Sequence, residues 1–217
     1  MKTIETNKAE VAGLVTEPFG LDHKVRGEGF YRTVVRTMRD SGKYDDVPVV
    51  VSERLTDVTK SQVGNMVAVI GQFRSYNKPD EGRKRKLILF LFARAFQPLL
   101  EGEDGYWNRL SLIGTICKPV IYRVTPLGRE VADVMLAVNR AYGKSDYIPC
   151  LCWGRDAKWI QFLETGQLLR IKGRIQSREY QKKLGEDEIQ TRTAYEVSVQ
   201  EVEVYEDEEN HSEGDEA

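Results

Sequence analysis

Basic and aromatic side chains share one side of a predicted strand near the end of the chain. Residues 167–180 alternate between aliphatic and polar types, as expected of a strand with one buried and one exposed face. The exposed face carries Arg170, Lys172, Arg174, Gln176, Arg178 and Tyr180. Another predicted strand, 146–153, displays Tyr147 and Trp153 in the same way. Cations neutralise phosphates and flat rings stack on bases, so this combination indicates a surface for single-stranded nucleic acid.

Five strands and one helix are predicted to hold this surface in place. The hydrophobic period of two predicts strands at 107–117, 130–140, 146–153, 167–180 and 190–204. A turn at residues 125–128, with the sequence TPLG, joins the first two strands, because Pro and Gly suit turn torsions. A helix is predicted only at 155–163, where Trp159, Phe162 and Leu163 would form a narrow apolar stripe.

The same order of elements recurs in the first half of the chain. Residues 7–52 match residues 108–153 at a constant shift of 101 positions, and the shift becomes 102 further on. The residues that recur are Asn7, Gly13, Pro18, Arg39, Gly42, Lys43, Asp45, Pro48, Gly64, Gly71 and Ser75. In this copy, strands are predicted at 8–16, 28–38, 46–52, 66–76 and 87–97, with a weak helix at 54–62. We therefore expect two copies of one module.

Three strands, a helix and two further strands within about 100 residues suit a small closed barrel. We predict an all-β chain with two tandem OB-fold five-stranded barrels, each with a short helix between strands three and four. The predicted domains are 1–105 and 106–205, followed by an acidic tail at 206–217. Gly71 and Gly173 fall inside the fourth strand of each copy, where a barrel strand must bend sharply.

Charge is distributed unevenly along the chain. The net charge is −2, but residues 206–217 contain seven carboxylates and no Lys or Arg, so the remainder carries +5. An acidic tail without aromatic residues cannot bury enough apolar surface to order itself, and we expect it to be disordered. Such a tail could be a solvated end, could compete with DNA for a basic groove or could contact a partner.

Cysteine usage and hydropathy bear on the compartment. The three cysteines, Cys117, Cys150 and Cys152, all lie in the second copy, and an odd number without a secretory signal argues against a disulfide framework. No stretch approaches the roughly 18 consecutive apolar residues of a membrane span. We therefore expect a cytoplasmic protein with no membrane partner, associated with the nucleoid if it binds DNA.

The second copy resembles the bacterial single-stranded DNA-binding protein family. The matching pieces are 108–114, 125–128, 136–140, 146–154, TAYEVSV at 193–199 and, most specifically, GQLLRIKGRIQSREY at 166–180. The resemblance implies a non-enzymatic protein without metal or cofactor that coats single-stranded DNA in replication, repair or recombination. By position it implies base stacking by Tyr142, Tyr147, Trp153 and Tyr180, and a phosphate contact by Arg178. The predicted phosphate contacts also include Arg140, Lys144, Arg170, Lys172, Arg174, Lys182 and Lys183.

The first copy departs from this pattern. It has Asp46, Ser52, Ala68, Ile70 and Lys78 where the second has Tyr147, Trp153, Arg170, Lys172 and Tyr180. Weaker binding is predicted for Arg39, Lys43, Arg74, Tyr76, Arg83, Lys84, Arg85 and Lys86. The predicted strand LILFLFARAF at 87–96 is apolar on both faces, so we expect this copy mainly to pack or oligomerise. The resemblance implies a homodimer with four barrels and replication or repair partners, although the tail ends EGDEA, without the family's aromatic tip.

Other functions have less support in the sequence. Cys117, Cys150 and Cys152 could supply thiolates to a metal, but no fourth ligand follows a known zinc spacing. The sequence offers few candidate catalytic residues, because His23 and His211 are expected in a loop and in the tail. It also contains no phosphate-binding glycine loop. Two alternatives stay open: an OB-fold scaffold of a DNA-processing assembly, and single-stranded RNA binding, since stacking and phosphate contacts do not read the sugar.

Overall fold

The computed structural model describes residues 5–78, 86–99, 105–183 and 189–206 of the 217-residue chain. Within these ranges it contains twelve strands, one short 3-10 turn and one α-helix. In the described part of the chain, no helix has the length and hydropathy that crossing a membrane would require.

The first barrel contains six strands, five of which close into a ring. The strands are β1 (Asn7–Val15), β2 (Gly20–Val25), β3 (Glu28–Met38), β4 (Tyr44–Ser52), β5 (Met66–Lys78) and β6 (Lys86–Pro98). Strand β1 pairs with both β3 and β5, and β4 pairs in parallel with β6, which closes the ring. Val11, Phe73 and Leu91 are fully buried inside it. Strand β2 extends β3 outside the ring.

The second barrel repeats this arrangement and adds a helix. Its elements are β7 (Trp107–Ile116), β8 (Ile121–Val124), β9 (Glu130–Asn139), a 3-10 turn (Ala141–Gly143), β10 (Ser145–Trp153), α1 (Gly154–Ile160), β11 (Leu168–Lys183) and β12 (Ile189–Val204). Strand β7 pairs with β9 and β11, and β10 pairs in parallel with β12. Leu112, Ile148 and Ile171 are fully buried inside. The prediction of two tandem five-stranded OB-fold barrels is confirmed.

One glycine lies at an irregularity in the fourth ring strand of each barrel, β5 or β11, as the sequence predicts. The register between β5 and β6 shifts at Gly71, and the register between β11 and β12 shifts at Gly173. A Cβ at Gly71 would lie 2.0 Å from the carbonyl oxygen of Phe92, and a Cβ at Gly173 would lie 2.3 Å from that of Ser198. Only a residue without a side chain allows the neighbouring strand to approach this closely.

Three details of the sequence prediction are wrong. Strands β2 and β8 were missed, and β2 includes His23, which was expected in a loop. Both strands are largely exposed, so they lack the alternation that identifies a strand. Residues 54–62 form turns rather than a helix, because Asp57 accepts hydrogen bonds from the backbone and hydroxyl of Thr59, which compete with helix formation.

The apolar stripe of the helix lies on a different side from the one predicted. Helix α1 ends at Ile160 and buries Ala157 and Ile160. Trp159 and Phe162 are instead exposed, and Leu163 packs partly against the core. The turn at 125–128 forms with a hydrogen bond from the Gly128 amide to the Thr125 carbonyl, but it connects β8 to β9.

The two barrels share one sheet. Strand β1 pairs antiparallel with β7, so β6, β5, β1, β7, β11 and β12 form a continuous six-stranded array. Asn7 and Asn108 mark equivalent places on its two central strands. Each side-chain amide makes two hydrogen bonds to the backbone of one residue on the adjacent fourth strand, Phe73 or Ile175. These contacts explain why the asparagine recurs in the repeat.

Candidate nucleic-acid interface

The four predicted stacking residues are all exposed on the second barrel. Tyr147 and Trp153 lie near the two ends of β10, Tyr180 lies on β11, and Tyr142 lies in the 3-10 turn. The Trp153 indole Nε1 donates to Ser198 Oγ at 3.3 Å, which fixes the ring against β12. The Tyr142 side chain is fully exposed, and its φ of 65° places the residue in the left-handed region. Large exposed rings of this kind are suited to stacking on bases.

The row of cations on β11 is paired with carboxylates of the same chain. Arg170 contacts Glu203 at 2.9 Å and Lys172 contacts Glu201 at 2.7 Å, each directly across the strand pair. Two of the predicted phosphate contacts therefore already have anionic partners. A phosphate would have to displace these glutamates to bind there.

Arg178 is the most available member of the row. Its Nε lies 3.8 Å from the nearest Glu196 carboxylate oxygen, and more than half of its side chain is exposed. Lys144 is exposed and makes no salt bridge within the described residues. Lys182 and Lys183 end strand β11, and their side chains lie outside the described part of the structure. In the second barrel, Arg178 and Lys144 are thus the predicted cations that are both described and free to approach a phosphate.

Arg39 and Arg174 bind a buried carboxylate where the barrels meet. Asp45 is fully buried and accepts hydrogen bonds from Arg39, from Arg174 Nη1 at 2.6 Å and from the Ser177 amide at 2.8 Å. The bond to Asp45 raises the pKa of Arg39. Burial lowers the pKa of Arg174 although Asp45 opposes this effect. Both arginines therefore have a structural role that the sequence did not reveal.

The opposite side of the junction repeats this contact. Asp146 is fully buried and accepts hydrogen bonds from Arg140 and from the Ser75 amide at 2.5 Å. Arg140 also donates to the Ser75 carbonyl at 2.9 Å, and the Tyr147 amide donates to Ser75 Oγ at 2.7 Å. These bonds position the Tyr147 backbone. The position of Tyr147 therefore depends on the way in which the barrels join.

The predicted weaker sites on the first barrel are dispersed. Lys43 and Tyr76 are exposed, and Arg74 is half-buried over a ring of the same barrel. Lys86 begins β6 and is exposed. The remaining members of the basic cluster, Arg83, Lys84 and Arg85, lie outside the described residues.

Two exposed rings were missed as candidate site residues. Trp159 is 40% exposed near the end of α1, and Phe162 is 79% exposed just after it. The sequence does contain one signal for them. If the helix begins at Gly154, Ala157 and Ile160 face the barrel, and the two aromatic residues then point elsewhere.

A groove of about 510 Å³ lies between the first barrel and the β11–β12 hairpin. Its charged lining residues are Glu17, Arg36, Asp46 and Glu179, and Arg36 forms an ion pair with Asp46 at 2.7 Å. Carboxylates therefore outnumber cations in the groove, and it is poorly suited to phosphate. The exposed rings of the second barrel fit a nucleic acid better.

The cysteines occupy ordinary positions in the second barrel. Cys150 and Cys152 are buried in the interior, where desolvation raises the pKa of Cys152 to about 12. The Cys117 thiol, part-buried, contacts the Met135 carbonyl at 3.3 Å. No group of three or more Cys, His, Asp or Glu side chains in the described ranges is arranged to hold a metal ion.

Comparison with known proteins gives matches for both the second barrel and the whole fold. Residues 107–205 match the family model described as Single-strand binding protein family. Single-stranded DNA-binding protein A of Bacillus subtilis is 37% identical over 86 residues, which cover 36% of this chain and 50% of that protein. Single-stranded DNA-binding protein 1 of Staphylococcus aureus is 38% identical over 85 residues, with shares of 36% and 51%. The chain thus spans about half the length of these curated relatives.

The solved structures match both barrels together. The single-stranded DNA binding protein from Thermus aquaticus aligns with a TM-score of 0.74, covering 93% of each chain at 19% sequence identity. At this identity the likeness supports the fold alone. It agrees with two tandem OB barrels in one chain.

Proposed function

Because residues 107–205 match the model of the Single-strand binding protein family, we propose that the chain binds and protects single-stranded DNA without sequence preference. The proposal places it in replication, repair or recombination, in the cytoplasm and without a catalytic step. The observation that carries it is the exposure of Tyr147, Trp153 and Tyr180 on β10 and β11.

Stacking would supply most of the affinity. Each base that stacks on an aromatic ring gains roughly 1–3 kcal/mol whatever its identity, because every base has a π-face. Tyr142 would add a ring from the 3-10 turn. Arg178 and Lys144 would contact phosphates, together with Lys182 and Lys183. We assign Arg140 and Arg174 to the junction between the barrels instead.

A titration with oligo-dT tests the proposal. The three tryptophans of the chain are Trp107, Trp153 and Trp159, so quenching of intrinsic fluorescence reports on the second barrel. Substituting Trp107 and Trp159 by Phe isolates the signal of Trp153. We expect quenching that weakens as salt rises, because binding releases counterions from the DNA and this release becomes less favourable at higher salt. No quenching at low salt would contradict DNA binding, and equal affinity for a matched RNA would contradict a preference for DNA.

Tyr180 provides a second test at one residue. Tyr180→Ala should weaken binding by roughly 1–3 kcal/mol, the usual value of one stacked base. Tyr106→Ala is a matched control, because Tyr106 is a similarly exposed tyrosine that lies outside the predicted surface. An unchanged affinity for the Tyr180 variant would remove this residue from the site.

The pairing of Arg170 and Lys172 with glutamates favours a second candidate. A surface that neutralises its own cations could serve as an OB-fold scaffold for replication or repair proteins, with minor affinity for DNA. The oligo-dT titration distinguishes a DNA-binding protein from such a scaffold. Binding of oligo-dT only at salt far below the physiological range would support the scaffold.

We also propose that the chain forms a homodimer with four barrels. Ile70 is 41% exposed on the outer face of the shared sheet, and Leu21 and Val25 are exposed on β2, so apolar surface is available for a second copy. Sedimentation equilibrium should give twice the mass of the 24.8 kDa chain. A monomer at micromolar concentration would contradict the dimer.

A further inference from the structure

Four side chains form a continuous stack on the outside of the first barrel. The rings of His23 and Phe30 are 4.9 Å apart and nearly parallel, with an interplanar angle of 6°. Phe30 and Phe92 are 5.7 Å apart with an angle of 29°. The Arg74 guanidinium carbon lies 3.9 Å from the centroid of the Phe92 ring. We call His23, Phe30, Phe92 and Arg74 the first-barrel stack.

The stack occupies the same place on its barrel that Trp153 occupies on the other. Phe30 is paired in register with Ser52, the position that corresponds to Trp153 in the repeat. Phe92 pairs with Val50, two residues before Ser52, from the other side of β4. Two phenyl rings therefore flank the position from which the tryptophan is missing.

The equivalent residues of the second barrel show the reverse arrangement. Trp153 is paired in register with Val131, the counterpart of Phe30. Its indole donates to Ser198, which corresponds to Phe92 because Gly71 pairs with Ala93 as Gly173 pairs with Val199. The second barrel thus has one large ring, Trp153, with the smaller Val131 and Ser198 beside it. The first barrel instead has two large rings, Phe30 and Phe92, on either side of Ser52. The aromatic surface has moved between strands and has not been lost.

Sequence reasoning missed the stack because its members come from four strands. His23, Phe30, Arg74 and Phe92 lie on β2, β3, β5 and β6 respectively. They contribute nothing to the barrel interior, which is filled by other residues such as Val11, Phe73 and Leu91.

The stack is open to a ligand at its His23 end. Nearly half of the His23 side chain is exposed, and its Nδ1 lies 2.7 Å from the Asp22 carboxylate, so the accessible part of the ring is at this end of the stack. Tyr76, 41% exposed, lies edge-on to Phe90 at 5.9 Å and extends the aromatic surface along β5 and β6. Rings that are exposed on the outside of a soluble barrel usually mark a binding surface.

Cations flank both ends of this surface. Lys24 and Arg26 are exposed at the β2–β3 turn and form no salt bridge with the residues that the structure describes. Arg74 lies at the opposite end, where burial lowers its pKa to about 10, so it stays charged at neutral pH. Rings between cations have the composition of a single-strand binding groove.

We propose that the first-barrel stack is a second binding surface for single-stranded DNA, on which bases stack at His23 and Tyr76 while Lys24 and Arg26 hold phosphates. The proposal rests on the proposed function of the chain. It reverses the expectation that the first barrel mainly packs or oligomerises, and it gives each barrel its own aromatic surface in the same place.

Anisotropy of fluorescein-labelled oligo-dT tests the stack, because all three tryptophans lie in the second barrel. In the full-length chain, His23→Ala combined with Phe92→Ser introduces serine, the residue that the second barrel has at this place. We expect the number of nucleotides occluded per chain to fall by roughly half and the affinity for an oligomer of about 30 nucleotides to fall at least tenfold, as sites are about 4–16 nucleotides per barrel.

Two further variants keep the result interpretable. Val63→Ala removes an exposed apolar side chain of the first barrel that is not in the stack, and it should leave the occluded length unchanged. His23→Ala combined with Tyr76→Ala removes two exposed rings and leaves the barrel interior unchanged, and circular dichroism checks that this variant is folded. An unchanged occluded length in both stack variants would overturn the inference.

A variant with Tyr147, Trp153 and Tyr180 all replaced by Ala separates this inference from the proposed function. If its residual binding at low salt disappears on adding His23→Ala and Tyr76→Ala, the first barrel binds DNA by itself. If the wild-type chain binds oligo-dT but this triple variant binds none, only the first-barrel inference is wrong. If the wild-type chain does not bind at all, the proposed function is wrong. Stack variants that dissociate a dimer while keeping the occluded length would show an interface between copies and overturn the inference.

Discussion

The two barrels have the same internal structure and different outer surfaces. Both close through the same five-strand order, and both use the same residue types where they meet. These shared residues are Asn7 and Asn108, Arg39 and Arg140, Asp45 and Asp146, and Ser75 and Ser177. The outward rings, by contrast, differ at every matched place. Residues that recur in both barrels therefore build the barrels and join them, and the rings that differ between the barrels lie on their outer surfaces.

The difference between the outer surfaces also shows that a binding surface cannot be predicted from one strand at a time. At the positions on β4 and β5 that match the rings of β10 and β11, the first barrel has no aromatic residue that could stack on a base. Judged from neighbouring strands, it has four stacked side chains around Ser52. Binding surfaces on barrels are formed across strands, so a ring can be replaced by one from the adjacent strand.

The largest expected effect is at the junction, where the two sides are not equal. Asp45→Ala should reduce the free energy of unfolding by about 3–5 kcal/mol, because it leaves Arg39 and Arg174 partly buried without their carboxylate. Asp146→Ala should cost less, since one arginine salt bridge to it, from Arg140, is found in the described residues. Urea denaturation followed by circular dichroism measures both. Equal losses would show that Arg174 adds nothing to the junction.

The next largest effect is expected when alanine replaces the glycine in the fourth ring strand of each barrel. It tests whether that strand is equally tightly packed in the two barrels. Gly71→Ala and Gly173→Ala should each reduce the free energy of unfolding by about 1–3 kcal/mol, because the added methyl group meets a backbone carbonyl. Gly20→Ala is the control, since a Cβ there meets no atom within 4 Å. Thermal melts of the three variants compare them. A loss in only one barrel would show that the other fourth strand can shift to make room.

A smaller effect is expected when residues are exchanged between the interiors. Cys150→Val and Cys152→Val introduce the first barrel's Val49 and Val51 at matched positions and should each change the free energy of unfolding by less than about 1.5 kcal/mol. In the wild-type protein both thiols should resist alkylation at pH 8, because burial raises their pKa values. Cys117, which is only part-buried, should react first. A severe loss of stability in the valine variants would point to a role for the thiols beyond packing.

The smallest effect concerns the paired cations of β11. Lys172→Ala should leave the dependence of log affinity on log salt nearly unchanged, because Lys172 contacts Glu201. Arg178→Ala should reduce the magnitude of that slope by about 0.7, the contribution of one phosphate contact to a single strand. Titrations of both variants at four salt concentrations compare them directly. The same slope change in each would mean that DNA displaces the glutamate.

Local patterns in the sequence predicted most of the strands but few of the contacts between them. The alternation of Leu169, Ile171 and Ile175 with cations identified β11 because burial on one face produces a period of two. That alternation does not show where a cation's partner lies. Arg174 and Asp45 are 129 positions apart, and their pairing depends on how the barrels dock. Trp159 was misassigned for a related reason, since the phase of a short helix depends on the residue at which it begins.

The pairing of β1 with β7 joins the two barrels by an intramolecular contact. Because a single chain supplies both partners, the junction does not weaken on dilution. In a symmetric dimer each substitution appears twice, whereas here each half of the junction can change alone. Arg174 reaches across to Asp45, but its counterpart Gln72 instead accepts hydrogen bonds from Arg74, which lies over Phe92. Arg174 thus adds a salt bridge to one side of the junction, whereas Arg74, two positions after the counterpart of Arg174, completes an aromatic surface.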